Sequence, residues 1–262
     1  MDWVHLLETN MRIAFTIGAY RLVDFIKLSA LQIKKLSPDS PVLISDDPAP
    51  ESHLIQKFAD EQSINYRGAN TRRGHFAADF QSFINALVFA EANGCDIAVK
   101  ASQRFVFRKP ESIEIIRKCF EDPKIAMVTP GAPKVITSEV RSTKGFAAFG
   151  TLSDVVAIRV GSITAQQLLQ IYRARLVREK VMWASFIECL VDELHGNVFP
   201  GRTIKHPALT DPTPDPIYLR RYQATHHQYL QLAMENGMAG QFPLVEWGQI
   251  EQRNYLCRPI VI

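Results

Sequence analysis

Residues 12–20 read RIAFTIGAY and residues 41–47 read PVLISDD, two apolar runs that each end in small or polar residues. Short runs rich in β-branched residues and bounded by polar turns predict buried strands, here over Arg12–Ile17 and Pro41–Ser45. Between them, apolar residues over Leu22–Ile33 recur near one face of a helix. A strand, a helix and a second strand in this order predict a βαβ unit, in which the two strands lie parallel.

The same alternation continues along the chain. The next elements are predicted from apolar periodicity and terminating residues: a short helix at His53–Asp60, a strong helix at Asp79–Ala92 with the Asn93-Gly94 stop, a strand at Asp96–Lys100, a helix opened by Pro110 and a strand at Ile125–Val128. Strands alternating with helices predict an α/β fold with a Rossmann-like, mostly parallel central sheet flanked by helices.

The second half of the chain is less regular. Its predicted elements are a strand at Asp154–Arg159, a helix that Ser162 caps and that runs to about Arg175, a helical stretch at Met182–Leu194, a proline-rich loop at Thr210–Pro216, and a last helix at Ile217–Asn236 stopped by Gly237. No composition shift divides the chain. Residues 1–262 are therefore predicted to form a single domain with a C-terminal helical appendage.

The composition is that of an ordinary globular protein, since 47% of the 262 residues are hydrophobic and 22% are charged. The net charge of +3 is too small to indicate a nucleic-acid partner. The four cysteines form no CxxC pair, which argues against a zinc site or a disulfide scaffold. The start of the chain has no signal-peptide pattern, and no apolar run approaches the roughly 20 residues that cross a bilayer. We expect a cytoplasmic protein without a transmembrane segment, either free or peripheral to the inner face of the membrane.

The carboxyl ends of the predicted strands are where a ligand is expected. In open α/β sheets, ligands bind in the crevice outside these ends. The residues there are Gly18–Tyr20, Asp46-Asp47 and Ser102–Arg104. They supply carboxylates, a hydroxyl, an amide and a guanidinium, all of which can recognise a polar ligand.

Four segments in this order resemble the nucleotide-binding half of GT-A glycosyltransferases, especially the large family 2: RIAFTIGAY, PVLISDDPAPES, NTRRGHFAADFQSFINAL and DIAVKASQRFVF. In that family, the second strand ends in a DDxS-type turn, an N-x-G segment and a helix follow, and the next strand carries an acidic DxD motif. The resemblance is clear over about the first 110 residues and looser through FGTLSDVVAIRV and SFIECLVDEL. It implies a GT-A-like fold with a nucleotide-binding half at 11–110, an acceptor-side half at 111–209 and a C-terminal helical extension at 210–262.

The chain departs from the family pattern at the DxD position, which reads Ala101-Ser102-Gln103-Arg104. Two carboxylates at this position hold a divalent cation against the donor diphosphate, and Ser-Gln-Arg cannot do so. The stretch Lys100–Arg104 is similar to a Lys-x-Ser-Gly-Arg-like stretch of some bacterial polysaccharide glycosyltransferases. Since a guanidinium pairs with phosphate in bidentate fashion, Arg104 is expected to neutralise the diphosphate directly. No cofactor is predicted, although a divalent metal bound elsewhere stays open.

The resemblance also implies a set of site residues. One of Asp46 and Asp47 is expected to accept a hydrogen bond from the nucleotide base or ribose, and the alternative is an Asx turn before Pro48. The expected substrate-binding residues are polar or charged and lie near the predicted strand ends: Asp46, Asp47, Arg72, Arg73, His75, Lys100, Ser102 and Gln103.

Two acidic residues are candidates for the catalytic base. Inverting sugar transfer needs a group that takes the proton of the acceptor hydroxyl. Glu188 and Asp192 lie four residues apart on one predicted helix and therefore share a face. In the resembled family, this acid lies in a comparable late position. With Arg104, they are the expected catalytic residues, and the alternative is that both acids are ordinary surface charges.

The resemblance implies a hexosyltransferase-like enzyme that moves a sugar from a nucleoside diphosphate donor to a glycan or lipid-linked glycan, in surface polysaccharide biosynthesis. The missing DxD favours the alternative of a non-catalytic sugar-nucleotide or glycan-binding protein of the same fold. A nucleotidyltransferase or a dehydrogenase is disfavoured, because Gly18 stands alone after the first strand without a glycine-rich loop. The donor, the acceptor, the stereochemistry, catalytic activity itself and a homo-oligomeric state are left open.

Overall fold

The computed structural model describes residues 11–21, 23–73, 75–103, 105–107, 109–130, 155–178, 190–191, 193–206 and 233–238. The strands are β1 (Ile13–Ala19), β2 (Val42–Asp46), β3 (Asn65–Gly68), β4 (Ile97–Ser102), β5 (Met127–Pro130), β6 (Val155–Arg159) and β7 (Thr203–His206). The α-helices are α1 (Val23–Leu36), α2 (Ser52–Glu61), α3 (His75–Ala92), α4 (Pro110–Glu121) and α5 (Ala165–Arg178). A π-helical turn, Leu194–Val198, precedes β7.

The strands form one seven-stranded sheet in the order β3-β2-β1-β4-β6-β5-β7. β1 pairs in parallel with β2 and β4, and β2 pairs in parallel with β3. β6 is antiparallel to both neighbours, β4 and β5, whereas β5 and β7 are parallel. The predicted sheet, mostly parallel and flanked by helices, is confirmed. The reversal of β6 was not predicted, because an apolar run such as DVVAIR suits a buried strand in either direction.

The strand register brings three strand ends to one edge of the sheet. Gly18 of β1 lies opposite Ser45 of β2 on one side and opposite Ser102 of β4 on the other. Ala19, the last residue of β1, lies opposite Asp46, the last residue of β2. The polar residues that the sequence placed near these strand ends therefore share one edge.

Apolar layers cover both faces of the sheet. Alternate residues of β1 and β4 face different layers, since successive side chains of a strand point to opposite sides. Phe15 and Val99 pack in one cluster with residues of α1, α2 and α4, while Ala14 and Ala98 pack in the other with residues of α3 and α5. Because central strands are buried on both faces, their sequences are almost continuously apolar, which is what made them recognisable.

Several helix ends follow the signals in the sequence. α1 has Asp24 in its first turn and Lys34 and Lys35 in its last, an arrangement that complements the helix dipole. Pro110 opens α4, where its missing N–H costs no hydrogen bond. Gly94 adopts φ +61° after α3, the left-handed conformation that ends many helices.

Other boundaries differ from the prediction. α3 begins at His75 rather than at Asp79. β3 was not predicted, because NYRG contains little apolar character and lies mostly exposed at the edge of the sheet. The cap of α5 is Thr164 and not Ser162, whose hydroxyl donates to the carbonyl of Arg159.

The Thr164 cap is a capping box. The Thr164 hydroxyl accepts the backbone N–H of Gln167 at 3.1 Å, and the Gln167 side-chain oxygen accepts the Thr164 N–H at 2.9 Å. These two bonds satisfy two of the donors that every helix start leaves open. Ser162 was a plausible cap by residue type, but Thr164 has a glutamine three residues later.

Parts of the predicted second half lie outside the described residues, including the loop at Thr210–Pro216 and most of the helical stretch at Met182–Leu194. Of the helix predicted at Ile217–Asn236, only its end is described, and there Gly237 adopts φ +69° as a helix stop. The single-domain organisation stays a prediction. Within the described part of the chain, no helix combines the length and apolar character needed to cross a membrane.

Candidate functional site

An open cleft lies where β2 and β3 end and α3 begins. We call it the strand-end cleft. It is lined by residues of these elements and of the loop between β3 and α3: Ser45, Asp46, Asp47, Arg67, Gly68, Ala69, Arg73, Ala78, Gln81 and Asn85. Its position matches the edge at which open α/β sheets bind ligands.

Asp46 is a buried carboxylate in the cleft wall, with 4% of the residue exposed. Its Oδ2 accepts the Tyr66 hydroxyl at 2.8 Å. Its Oδ1 is buried and has no hydrogen-bond partner among the described residues. Burial raises the pKa of Asp46, while the nearby hydroxyls of Ser52 and Tyr66 oppose the rise. Oδ1 of Asp46 is thus an acceptor that no described donor fills.

Tyr66 is the partner that holds this carboxylate in place. Burial and the bond to Asp46 raise the pKa of the Tyr66 phenol, so it remains a protonated donor at physiological pH. Tyr66 lies on β3, the exposed edge strand, and a Cβ at Gly68 would lie 3.1 Å from its hydroxyl oxygen. The sequence reasoning missed Tyr66, because its role depends on the pairing of β2 with β3.

Asp47 fixes the loop that leads into α3. Its Oδ1 accepts the backbone N–H of Arg73 at 2.8 Å, and its own N–H donates to the carbonyl of Ala19 at 3.0 Å. Only 4% of Asp47 is exposed. The residue therefore ties the ends of β1 and β2 to the basic loop.

The floor of the cleft is a polar network between β2 and α3. Ser45 accepts a bond from Asn85 at 2.9 Å and one from Ser82 at 3.3 Å, while Gln81 donates to Asn85 at 2.9 Å. Gly18 makes the close approach of α3 possible, because a Cβ there would lie 3.1 Å from the Ser82 hydroxyl oxygen. No sequence pattern indicated this network, since its members are common residues of one helix and one strand.

Lys100 is in the interior rather than at the surface of the cleft. The residue is 1% exposed, and its ammonium group forms an ion pair with Asp79 in the first part of α3. A buried cation needs such a partner to offset its lost hydration. Its predicted role in substrate binding stays a prediction, and its partner Asp79 was not predicted from the sequence.

The end of β4 offers amide and hydroxyl groups. Ser102 is the last residue of β4, and Gln103 follows it. The Gln103 side-chain oxygen accepts the backbone N–H of Tyr20 at 2.6 Å, which joins the ends of β4 and β1.

These residues do not fit a divalent cation. Such ions take carboxylate and other oxygen ligands, and the end of β4 supplies no carboxylate. The side-chain oxygen of Gln103 is already occupied by Tyr20. Across the described ranges, no group of three or more His, Cys, Asp or Glu residues is placed to hold a metal ion.

In the described part of the chain, four arginines lie around the cleft and the neighbouring end of β1. Arg67, Arg72 and Arg73 are exposed, and Arg21 is half-buried. The guanidinium carbons of Arg21 and Arg72 lie 5.1 and 5.2 Å from the centre of the Tyr20 ring. Tyr20 and Arg21 directly follow β1, at the strand ends where open α/β sheets bind ligands. Of these two residues, only Tyr20 belongs to the predicted strand-end residues, and no role was predicted for it.

The structure thus brings together part of the predicted site. Asp46, Asp47 and Arg73 line one cleft, and Arg72 lies on the adjoining Tyr20. His75 begins α3, but its side chain is outside the described set. Arg104, Glu188 and Asp192 also lie outside the described residues.

Comparison with solved structures identifies similar folds. No family model matches the sequence, and no curated protein matches it. A mannosyltransferase from Pyrobaculum calidifontis, solved with GDP-mannose and Mn²⁺, superposes with a TM-score of 0.53 at 14% identity, over 86% of this chain and 64% of that one. This chain therefore spans less than two thirds of the mannosyltransferase.

Glucosyl-3-phosphoglycerate synthase from Mycobacterium tuberculosis, solved with Mn²⁺, UDP and glucosyl-3-phosphoglycerate, gives a TM-score of 0.51 at 14% identity, over 87% of this chain and 80% of that one. A cytidylyltransferase from Leptospira borgpetersenii overlaps less well, with a TM-score of 0.46 at 11% identity, over 86% of this chain and 94% of that one. The first two similarities confirm the architecture that the first 110 residues imply. The chain has a GT-A-like fold of the kind found in nucleotide-sugar glycosyltransferases.

Proposed function

We propose that this chain is a glycosyltransferase that moves a sugar from a nucleoside diphosphate donor to a hydroxyl of a glycan acceptor. The observation that carries the proposal is the half-satisfied carboxylate of Asp46, which lies in an open cleft beside exposed arginines. A nucleoside offers N–H and O–H donors to such an acceptor, and its diphosphate offers negative charge to the arginines. The similar mannosyltransferase was solved with GDP-mannose and the similar synthase with UDP, which supports this ligand class.

The proposed donor lies across the strand ends. Its nucleoside enters the strand-end cleft, where the Oδ1 of Asp46 accepts a hydrogen bond. Asp47 holds the basic loop through Arg73, so the loop backbone is already ordered when the ligand arrives. Ser102 ends β4 and Gln103 follows it, and their polar groups are proposed to meet the sugar or ribose hydroxyls.

The chemical step requires a base and stabilisation of the leaving diphosphate. In the proposed reaction, the acceptor oxygen forms a bond to the anomeric carbon while the bond from that carbon to the diphosphate oxygen breaks. Glu188 or Asp192 takes the acceptor proton, and Arg104 stabilises the charge that develops on the departing diphosphate. A glycan of a surface polysaccharide, free or lipid-linked, is the proposed acceptor, and the proposed location is the cytoplasm or the inner face of the membrane.

A non-catalytic binding protein is the second candidate, because the end of β4 lacks the carboxylates that would hold a metal. Both candidates bind a sugar nucleotide, but only the enzyme consumes it. Release of nucleoside diphosphate, without added metal and in the presence of an oligosaccharide mixture, distinguishes the two.

The first test is a thermal-shift screen with UDP, GDP, CDP and ADP and their sugar conjugates. A ligand at 100 times its Kd should stabilise the fold by about 2.7 kcal/mol. Asp46→Ala should abolish the shift, whereas Asp39→Ala should keep it, because Asp39 is exposed near the opposite edge of the sheet. The absence of a shift with every nucleotide would overturn the proposed function.

A further inference from the structure

We propose that Arg21 and Arg72, held on the ring of Tyr20, form the binding site for the diphosphate of the donor. We call these three residues the Arg–Tyr–Arg cluster. The inference rests on the proposed function and deepens it, since it assigns the diphosphate to residues at the end of β1. The two arginines also supply positive charge for the diphosphate where the described residues do not fit a metal.

The first support is the convergence of two guanidinium groups on one aromatic ring. Arg21 follows Tyr20 directly in the chain, whereas Arg72 arrives from the loop between β3 and α3. Their guanidinium carbons lie 5.1 and 5.2 Å from the ring centre, within the range of cation–π attraction. The ring thus contacts two guanidinium groups, which concentrates positive charge at the end of β1 and attracts an anion there.

The second support is the strained and incompletely bonded state of Arg21. Its φ of +63° lies in the left-handed region, which is uncommon for a residue with a side chain. Its Nε is buried and has no hydrogen-bond partner among the described residues. Strained backbone and unused donors concentrate at ligand sites, where the ligand supplies the missing partner.

The third support is that no carboxylate of the described residues competes for these arginines. Within the described ranges, neither Arg21 nor Arg72 forms an ion pair with an acidic residue. Guanidinium groups present parallel N–H donors that match two oxygens of a phosphate group, so two arginines suit a ligand with two linked phosphates.

The fourth support is the order of the strands. β1 lies between β2, which carries Asp46 at its end, and β4, which is followed by Gln103. A diphosphate lies between the nucleoside and the sugar of a donor. A nucleoside at Asp46 and a sugar near Gln103 therefore place the diphosphate at the end of β1. There, the backbone N–H of Tyr20 donates to Gln103, and this bond fixes the position of Tyr20.

The experiment compares three ligands by calorimetry: the nucleoside diphosphate that binds best, its nucleoside, and inorganic pyrophosphate. The variants are Arg21→Ala, Arg72→Ala, Arg21→Lys, Tyr20→Phe and Tyr20→Ala. Lys35→Ala is the matched control, because Lys35 is exposed in the last turn of α1, at the opposite edge of the sheet. Circular dichroism and thermal melting verify that each variant is folded.

We expect each arginine-to-alanine change to weaken the diphosphate and pyrophosphate about 10- to 100-fold, as for loss of a charged hydrogen bond, and to leave nucleoside affinity unchanged. Arg21→Lys should recover part of the loss, because the ammonium keeps the charge without the planar fork. Tyr20→Phe should retain binding, while Tyr20→Ala should weaken it by removing the ring that holds both groups. Lys35→Ala should change nothing.

The outcomes separate this inference from the proposed function. Tight nucleotide binding that survives in both folded arginine variants would overturn the cluster and leave the function standing. Pyrophosphate binding that depends on both arginines, in a protein that binds no nucleotide, would support the cluster and contradict the function. Equal loss of nucleoside and pyrophosphate affinity would make the cluster a structural support of the cleft and overturn its direct role.

Discussion

The carboxylate of Asp47 accepts the backbone N–H of Arg73 at 2.8 Å, so the residue after β2 fixes the loop that enters α3. The two residues are 26 positions apart, and the bond closes one side of the strand-end cleft. Asp47 thereby contributes to the cleft without presenting that carboxylate oxygen to a ligand. This geometry changes the expected effect of an Asp47 substitution from loss of one ligand contact to release of a whole loop.

The first prediction concerns this bond. Asp47→Ala should destabilise the fold by roughly 1.5–3 kcal/mol, because a part-buried hydrogen bond to a charged acceptor is removed. It should also weaken nucleoside diphosphate binding, since the basic loop loses its anchor. Urea unfolding and calorimetry measure the two effects, and Asp47→Asn should restore most of the stability because its side-chain oxygen can still accept. If both variants unfold like the wild type, the bond does not contribute to the stability of the fold.

The second prediction concerns the pH dependence of stability. The raised pKa of Asp46 means that the folded protein holds this proton more tightly than the unfolded chain does. The contribution of Asp46 to the free energy of unfolding should therefore be greatest below the usual pKa of 3.8 and be lost as the pH rises through the raised pKa. Comparison of urea unfolding for wild type and Asp46→Asn across pH 3–7 should show the wild type gaining relative stability on acidification.

The control for this pH effect is Asp39→Asn, an exposed aspartate change that should keep a constant difference from the wild type. A difference between wild type and Asp46→Asn that is flat over the same range would show that Asp46 titrates normally.

The third prediction concerns metal dependence. Because the described residues do not fit a divalent ion, nucleoside diphosphate affinity should be unchanged by EDTA. Calorimetry before and after chelation, followed by addition of Mn²⁺, tests this directly. Loss of binding on chelation and its return with Mn²⁺ would mean that carboxylates elsewhere in the chain form a metal site.

The fourth prediction concerns the interior ion pair of Lys100 and Asp79. Asp79→Ala should destabilise the protein by roughly 3 kcal/mol, the lower end for buried pairs, because Asp79 retains some exposure while Lys100 has almost none. The double variant Lys100→Met/Asp79→Leu should recover much of that loss, since both charges of the pair are removed together. Urea unfolding is the measurement.

The exposed pair of Lys57 and Glu61 provides the matched control for Lys100 and Asp79. Lys57→Ala should change the free energy of unfolding by no more than roughly 0.5 kcal/mol, as is usual for an i,i+4 surface pair. An Asp79→Ala effect as small as this would show that Lys100 is solvated or finds another partner.

The fifth prediction concerns Arg104, which follows the end of β4. If Arg104 stabilises the leaving diphosphate, Arg104→Ala should reduce turnover of the cognate donor roughly 100- to 1,000-fold, and Arg104→Lys should recover part of it. Steady-state rates of variants with native circular dichroism are the measurement. A folded Arg104→Ala protein with near-wild-type turnover would assign Arg104 to the surface.

The predictable part of the fold is the part governed by local pattern. β1, β2 and β4 are apolar runs buried on both faces, and α3 has apolar periodicity and a glycine stop, so their sequences specify their type. β3 was not predicted, because an exposed edge strand needs few apolar residues. The direction of β6 was not predicted, because strand direction depends on the path of the connections and not on the residues within the strand.

The site divides in the same way. Asp46 and Asp47 were predicted because they directly follow a strand, where topology places ligands. Tyr66, Asp79 and the contact of Arg72 with Tyr20 were not, because each joins residues from separate elements. The position of Asp46 and Asp47 next to a strand indicated the edge of the sheet. Which residues of separate elements contact each other at that edge depends on three-dimensional packing.

The reversed β6 has a consequence for how such a protein can diverge. β5 ends and β6 begins at the same edge of the sheet as Asp46, because β6 runs against both neighbours, and β7 ends there as well. The described ends of these strands, Pro130, Val155 and His206, therefore lie at the edge of the sheet that carries Asp46. Substitutions at these strand ends can change the chemistry of that edge while the strand pairings are inherited intact, which separates the evolution of the edge from the requirement to fold.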